Sequence, residues 1–294
     1  MLKAIDMHAH IKTGDRAKQT SGHGVPHNTG KLGTGPDDMA QMYQRLEMLA
    51  VIFDVDHETR TGLKISNAET AGWVRKYPQT FIGYGSVDPW KGKAAVDEVH
   101  RCADMGLRGM KFQQATQAFE PSNPRFFPIY EACVRLKLPI ILHGGTTAIH
   151  AGTPGGGGLL LEYCRPIPYI DRIAAWYPEL RIIIAHPAWP WHDEQIAVMR
   201  HKANVYMDLS GWAPKYFPES IVHNANTLLQ DKVFFGSDFP VITPERWLSE
   251  FVALPIKETV RPKILLHNAV KFLGLDLAAE TGGQESASKA ARSV

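Results

Sequence analysis

Eight short apolar runs recur along the chain, and the stretches between them repeat their apolar residues at helical spacing. This alternation restricts the fold more than any other feature. The runs fall at residues 4–11, 50–53, 81–84, 109–112, 139–143, 181–186, 205–208 and 233–236. Several are continuously apolar, as in Ile182-Ile183-Ile184-Ala185, which suits parallel strands covered on both faces. Helical spacing predicts helices over 37–49, 67–77, 94–105, 124–136, 167–177, 193–201, 218–229 and 244–254, with a last one over 261–273. The strand-to-strand spacing averages roughly 33 residues, one βα unit. Eight such units fit a single (β/α)8 TIM barrel, with a doubly wound pair of domains as the alternative. No glycine fingerprint follows the first run to favour a dinucleotide fold.

Composition removes several classes of function. The 294 residues are 44% apolar and 21% charged, which excludes disorder along the whole chain. Thirty-two basic side chains against 30 acidic ones leave +2, so nothing electrostatic points to nucleic acid or an anionic membrane. No apolar stretch approaches the roughly 20 residues that span a bilayer. Asp6, His8 and His10 interrupt any signal-peptide pattern, and Cys102, Cys133 and Cys164 form no disulfide framework; a cytoplasmic setting is expected. Two long loops, 12–36 and 144–166, leave the carboxyl ends of the first and fifth strands, where a barrel builds its active site. The run Gly155–Gly158 in the second lacks the Gly-Lys-Ser/Thr ending of a phosphate loop. The barrel is expected to occupy residues 1–275, with 276–294 a frayed tail poor in large apolar groups.

The 13 histidines are distributed unevenly with respect to these runs. His8 and His10 are two apart on the first strand, so both imidazoles are expected on one face, at the barrel mouth. His143 ends the fifth run, His186 ends the sixth, and Asp238 follows the eighth in Gly236-Ser237-Asp238. In a parallel barrel all of these project at one rim. Three histidines and a carboxylate form a donor set suited to Zn²⁺ or Mn²⁺. Asp6 shares the parity of the histidines, and a hydrogen bond to it from an imidazole is expected, with a buried structural role as the alternative. Trp189 and Trp191 follow His186-Pro187 and read as a pocket wall or as helix packing, while Ser210 and Trp212 end the seventh strand at the same rim and are expected to line the pocket, with Ser210 touching substrate. His23, His27 and His150 read as solvated loop residues, and Cys164 has no neighbour that would activate it.

The strand-one His-x-His, the histidines after strands five and six, and Gly-Ser-Asp after strand eight together resemble the amidohydrolase-related family. That branch of the metal-dependent amidohydrolase superfamily includes aminocarboxymuconate semialdehyde decarboxylase and several lactone hydrolases. The resemblance spans residues 5–273 and takes in Tyr77-Pro78 and Asn268 in the closing helix. It implies that His8, His10, His143 and Asp238 ligate one metal, most simply Zn²⁺. His186 would stand just outside as an acid/base or carbonyl-polarising residue, or join the sphere as in two-metal members. Lys111, near the strand-four position of a carboxylated lysine in those members, reads as an ammonium gripping a substrate carboxylate, as a carbamate, or as a solvated lysine. The activity implied is hydrolysis of a small carboxylated lactone, ester or amide, with Asp238 as general base. The alternative is non-oxidative decarboxylation of an aromatic or muconate-like acid. Family members are often dimers or tetramers, so a homo-oligomer is implied.

Overall fold

The computed structural model describes residues 2–17 and 35–276. Most of the expected loop at 12–36 and all but the first residue of the expected tail at 276–294 lie outside the described residues. Among the described residues eight strands alternate with helices: β1 (Ala4–His10), β2 (Met48–Phe53), β3 (Phe81–Gly83), β4 (Met110–Phe112), β5 (Ile140–His143), β6 (Ile182–Ala185), β7 (Val205–Asp208) and β8 (Val233–Phe234). Every ladder is parallel, β1-β2-β3 in one group and β4-β5-β6-β7-β8 in the other. Two seams close the ring. Gly85 bridges to Met110 between β3 and β4, with Lys111 N donating to Gly85 O at 2.7 Å. Ala9 bridges to Phe239 between β1 and the segment after β8, with Met7 N donating to Phe235 O at 3.0 Å. The architecture is the expected (β/α)8 barrel.

Two packed layers result from the alternation of side chains across each strand. Ile5, Met7, Leu49, Val51, Phe53, Ile141, Ile183 and Phe234 fill the barrel, while Ile52, Ile140, Ile182, Ile184 and Met207 pack outward under the helices. The helix Pro36–Arg45 shows how the outer layer is specified. Proline near its start and acidic Asp37 and Asp38 in its first turn suit a helix N-terminus, and Met39, Ala40, Met42 and Tyr43 are its buried face. It ends earlier than the spacing predicts, because Glu47 turns the chain with φ 56° and β2 begins at Met48. At the amino end of the barrel, helix Asn268–Leu273 inserts Ala269, Phe272 and Leu273 against the inner layer. Asn268 Nδ2 anchors it by donating to Gln230 O and Val233 O, both at 2.8 Å. The three cysteines are buried and unpaired, and no described helix is long and apolar enough to cross a membrane.

Near the mouth, Asp54 follows β2 and accepts from Thr13 N (2.8 Å), Thr13 Oγ1 (3.1 Å) and Arg16, holding the start of the loop after β1. His57, the next histidine along, has a buried Nδ1 with no partner among the described residues. Burial, then the charges of Arg16 and Arg60, push its pKa down to about 4. A base with a depressed folded-state pKa contributes stability above its unfolded value, and that stability is lost as pH falls from 6.5 towards about 4. His57→Gln is therefore expected to remove on the order of 1–3 kcal/mol of acid sensitivity. Urea unfolding of both proteins at neutral and acid pH measures it; parallel pH profiles would show the assignment to be wrong.

Candidate metal centre

The site begins with an irregularity in β1. Four residues of β1, from Asp6 to Ala9, stand against only three of β2, from Ala50 to Ile52, so the strand carries a bulge. One extra residue reverses the side-chain faces: Ile5 and Met7 point inward below it, His8 and His10 inward above it. Asp6 is thereby turned outward, against the prediction from parity, and does not touch an imidazole. Its Oδ1 accepts from His8 N (3.0 Å) and Ser237 N (2.9 Å), and its Oδ2 from Tyr43 OH (2.7 Å) and Ser237 Oγ. Asp6 clamps the bulge to the turn after β8. Burial raises its pKa to about 6 despite these donors.

Around this clamp the rim residues converge. Asp238 Oδ1 lies 3.1 Å from His10 Nε2 and 3.4 Å from His8 Nε2. Burial pushes the Asp238 carboxyl up, but the His10 hydrogen bond and the fields of His8, His10 and His186 outweigh it and hold it well below the usual carboxylate range. His8 and His10 each set an edge against Phe53, with ring centroids 4.9 Å away in both cases. His8, His10 and Asp238 offer ligand atoms within 4.8 Å of one another, as do His8, His186 and Asp208. His143 belongs to neither group. Its Nδ1 faces His186 Nε2 at 3.2 Å, so the structure places it beside His186.

His8 decides whether a cation fits. Its Nε2 is buried with no hydrogen-bond partner among the described residues, although its Nδ1 is held 3.0 Å from Asp208 Oδ2. An orphaned buried nitrogen is costly in a protein interior unless something binds it. Two imidazole nitrogens and a carboxylate oxygen converge there, a donor set that matches a borderline divalent cation. His186 (φ 68°) and Asp238 (φ 63°) both sit in the left-handed backbone region just past their strands, conformations uncommon for non-glycine residues and concentrated at functional sites.

Lys111 is 1% exposed, with Nζ 5.3 Å from the Phe53 ring centroid and no hydrogen-bond partner among the described residues. Burial, only partly offset by Asp208 and Asp238, pulls its pKa down to about 8. It is inside the barrel, so the solvated alternative does not hold. Trp189 is 48% exposed at the rim, 6.0 Å from Trp212. Ser210 is fully buried, with its hydroxyl between Asp208 and His186 at 2.8 Å from Nδ1; it stands behind the imidazole and not on the pocket wall expected of it.

Two residues at this site had no role in the sequence reading. Asp208 is the carboxylate behind His8 and His186; its signal was Asp-Leu-Ser at the end of the seventh run. Gln114 pins the end of β5, accepting from His143 N at 2.9 Å and donating to His143 O at 3.1 Å. Nothing in its local sequence marks it.

An amidohydrolase family model matches residues 5–275, nearly the whole barrel. The chain belongs to the amidohydrolase family. A curated relative, 2-amino-3-carboxymuconate-6-semialdehyde decarboxylase of Dictyostelium discoideum, is 25% identical over 71% of this chain, which spans 66% of that protein's length. Among solved structures, an uncharacterized TIM-barrel protein from Bordetella bronchiseptica superposes with a TM-score of 0.76 at 23% identity, covering 93% of this chain and 99% of its own. A 5-carboxyvanillate decarboxylase from Novosphingobium aromaticivorans, complexed with manganese and 4-hydroxy-3-methoxy-5-nitrobenzoic acid, gives 0.67 at 20% identity over 93% and 96%. A probable 2-pyrone-4,6-dicarboxylic acid hydrolase from Acinetobacter baumannii gives 0.62 at 15% identity over 93% and 100%. At these identities the structural neighbours establish the fold, and the family match establishes membership of the amidohydrolase family.

Proposed function

We propose that this amidohydrolase is a metal-dependent hydrolase of a small carboxylated lactone, ester or amide, with His8, His10 and Asp238 holding a divalent cation, Zn²⁺ in the first instance and Mn²⁺ as the alternative. When bound, such a cation would supply Lewis acidity towards a substrate oxygen or a water. The observation that carries hydrolysis is that the imidazole and carboxylate groups facing this position accept protons. Asp238 is an ionised carboxylate, and burial lowers the pKa of His186 to about 4, leaving its ring neutral at pH 7. Its Nδ1 is committed to Ser210, so Nε2 faces inward as an acceptor. Hydrolysis needs a proton removed from water, and Asp238 and His186 are the unprotonated groups placed to receive it. The hydrogen bond from His186 to a substrate carbonyl, expected from the resemblance, gives way here to the accepting role.

Lys111 supplies the only unpaired ammonium among the described residues of this interior and is proposed to take the substrate carboxylate. A hydrogen bond to a charged partner is worth about 1.5–3 kcal/mol. Lys111→Met is accordingly expected to raise KM about 10- to 100-fold with a smaller change in kcat. Steady-state kinetics measure it, and an unchanged KM would remove Lys111 from the binding site.

Decarboxylation of an aromatic or muconate-like acid is the second reading. It draws support from the names of the Dictyostelium and Novosphingobium proteins and from Lys111, a proton-bearing group at the site with its pKa near 8. Mass spectrometry of a lactone, ester, amide and aromatic-acid panel in ¹⁸O-water separates the two. Hydrolysis places one labelled oxygen in the product; loss of CO₂ with no label would overturn it in favour of the lyase.

A further inference from the structure

We infer that Asp208, at the end of β7, is the positioning residue that sets the tautomers of His8 and His186 and thereby turns an unprotonated nitrogen of each ring inward. Its consequence for catalysis rests on the hydrolytic reading above; its structural content does not.

The hydrogen bonds leave little freedom. Asp208 is fully buried, and its Oδ1 accepts from the backbone N–H of Ser210 at 3.1 Å and of His186 at 3.3 Å. An oxygen receiving two backbone donors is not the protonated one of a carboxyl. The single proton of the Ser210 hydroxyl, in contact with Oδ1, therefore goes to Asp208. Having donated, Ser210 Oγ can only accept from His186 Nδ1, 2.8 Å away. His186 thus carries its proton on Nδ1 and a lone pair on Nε2. The other carboxylate oxygen, Oδ2, meets His8 Nδ1 at 3.0 Å and imposes the same tautomer, leaving His8 Nε2 as the orphaned inward atom.

A second set of contacts offers His186 a rival tautomer, which Asp208 must override. His143 Nε2 donates to Thr146 O at 3.0 Å, so its Nδ1 is also an acceptor, and it lies 3.2 Å from His186 Nε2. Two lone pairs facing at that separation repel in the metal-free protein. The rival tautomer of His186, with the proton on Nε2, would turn the repulsion into a hydrogen bond. Ser210 and Asp208 hold the ring in the first form. The backbone closes on this hub: a Cβ added at Gly236 would stand 3.0 Å from Ser210 Cβ, 3.1 Å from His8 Cβ and 3.3 Å from Asp208 Oδ1. One carboxylate thereby orients a metal ligand and a proton acceptor together, the same service that the orienting aspartate performs in a catalytic triad.

Nitrogen-15 NMR of protein labelled at histidine reads the tautomers directly, both metal-free and zinc-loaded. The expected wild-type spectrum shows Nδ1 protonated and Nε2 unprotonated in both His8 and His186. In Ser210→Ala the His186 proton is expected to move to Nε2 and bond to His143, with His8 unchanged. In Asp208→Asn both rings are expected to change. Turnover in Ser210→Ala should fall about 10- to 100-fold through kcat rather than KM. A wild-type His186 or His8 protonated on Nε2 would overturn the inference even where a variant fails to fold, and so would a Ser210→Ala spectrum identical to wild type. Failure of the hydrolytic reading would appear separately, as absence of hydrolysis by the wild-type enzyme with the tautomers as described.

Discussion

His8→Ala is expected to lower the affinity for a divalent cation more than about 100-fold, beyond what the loss of a supporting residue does at metal sites. Activity should fall with it by about 10³-fold or more, because several kcal/mol of Lewis-acid stabilisation disappears and each 1.36 kcal/mol is tenfold in rate. His8 Nε2 is fully buried and has no hydrogen-bond partner among the described residues, and it lies 3.4 Å from Asp238 Oδ1. Cation binding to the folded state alone also raises stability. Zinc or manganese should therefore raise the melting temperature of the wild type and leave His8→Ala unmoved. Calorimetric titration of metal-stripped protein checks the affinity, and equal binding by both proteins would take His8 out of the site.

Gly211→Ala is expected to lower kcat about 100-fold while leaving cation binding by His8, His10 and Asp238 in place. A Cβ at this position would stand 2.5 Å from His186 Nδ1 and 3.0 Å from Cε1, so the ring must move by the better part of an ångström. Such displacement of a catalytic group costs on the order of 10²-fold. It also breaks the 2.8 Å contact between Nδ1 and Ser210. The φ of 76° adds roughly 1 kcal/mol of strain for alanine. Kinetics together with metal titration separate the effects: a kcat within twofold of wild type would mean that the position of His186 does not matter to turnover.

The barrel was legible because parallel strands buried on both faces leave apolar runs that helical segments cannot imitate at this spacing. His143 and His186 were legible because they close such runs, where a parallel barrel must present them at its mouth. Other features depend on geometry that local sequence does not carry. The bulge between Asp6 and Ala9 shifts faces by one residue, so strict alternation misdirected Asp6 while its error cancelled for His8 and His10. Asp208 closes the seventh run with no histidine beside it, and its role exists only because β1 and β6 place two rings against it. The spacing that sets His143 next to His186 follows from the order of neighbouring strands β5 and β6, not from either segment alone. Ser210 shares a rim with pocket residues, yet it is drawn behind His186 by its bond to Asp208.

The most direct test is an anomalous-difference map from crystals of the protein loaded with zinc or manganese, recorded at the absorption edge of the metal. The predicted result is a peak within bonding distance of His8 Nε2, His10 Nε2 and an Asp238 carboxylate oxygen. A map with no peak there, or with the cation held by other residues, would contradict it.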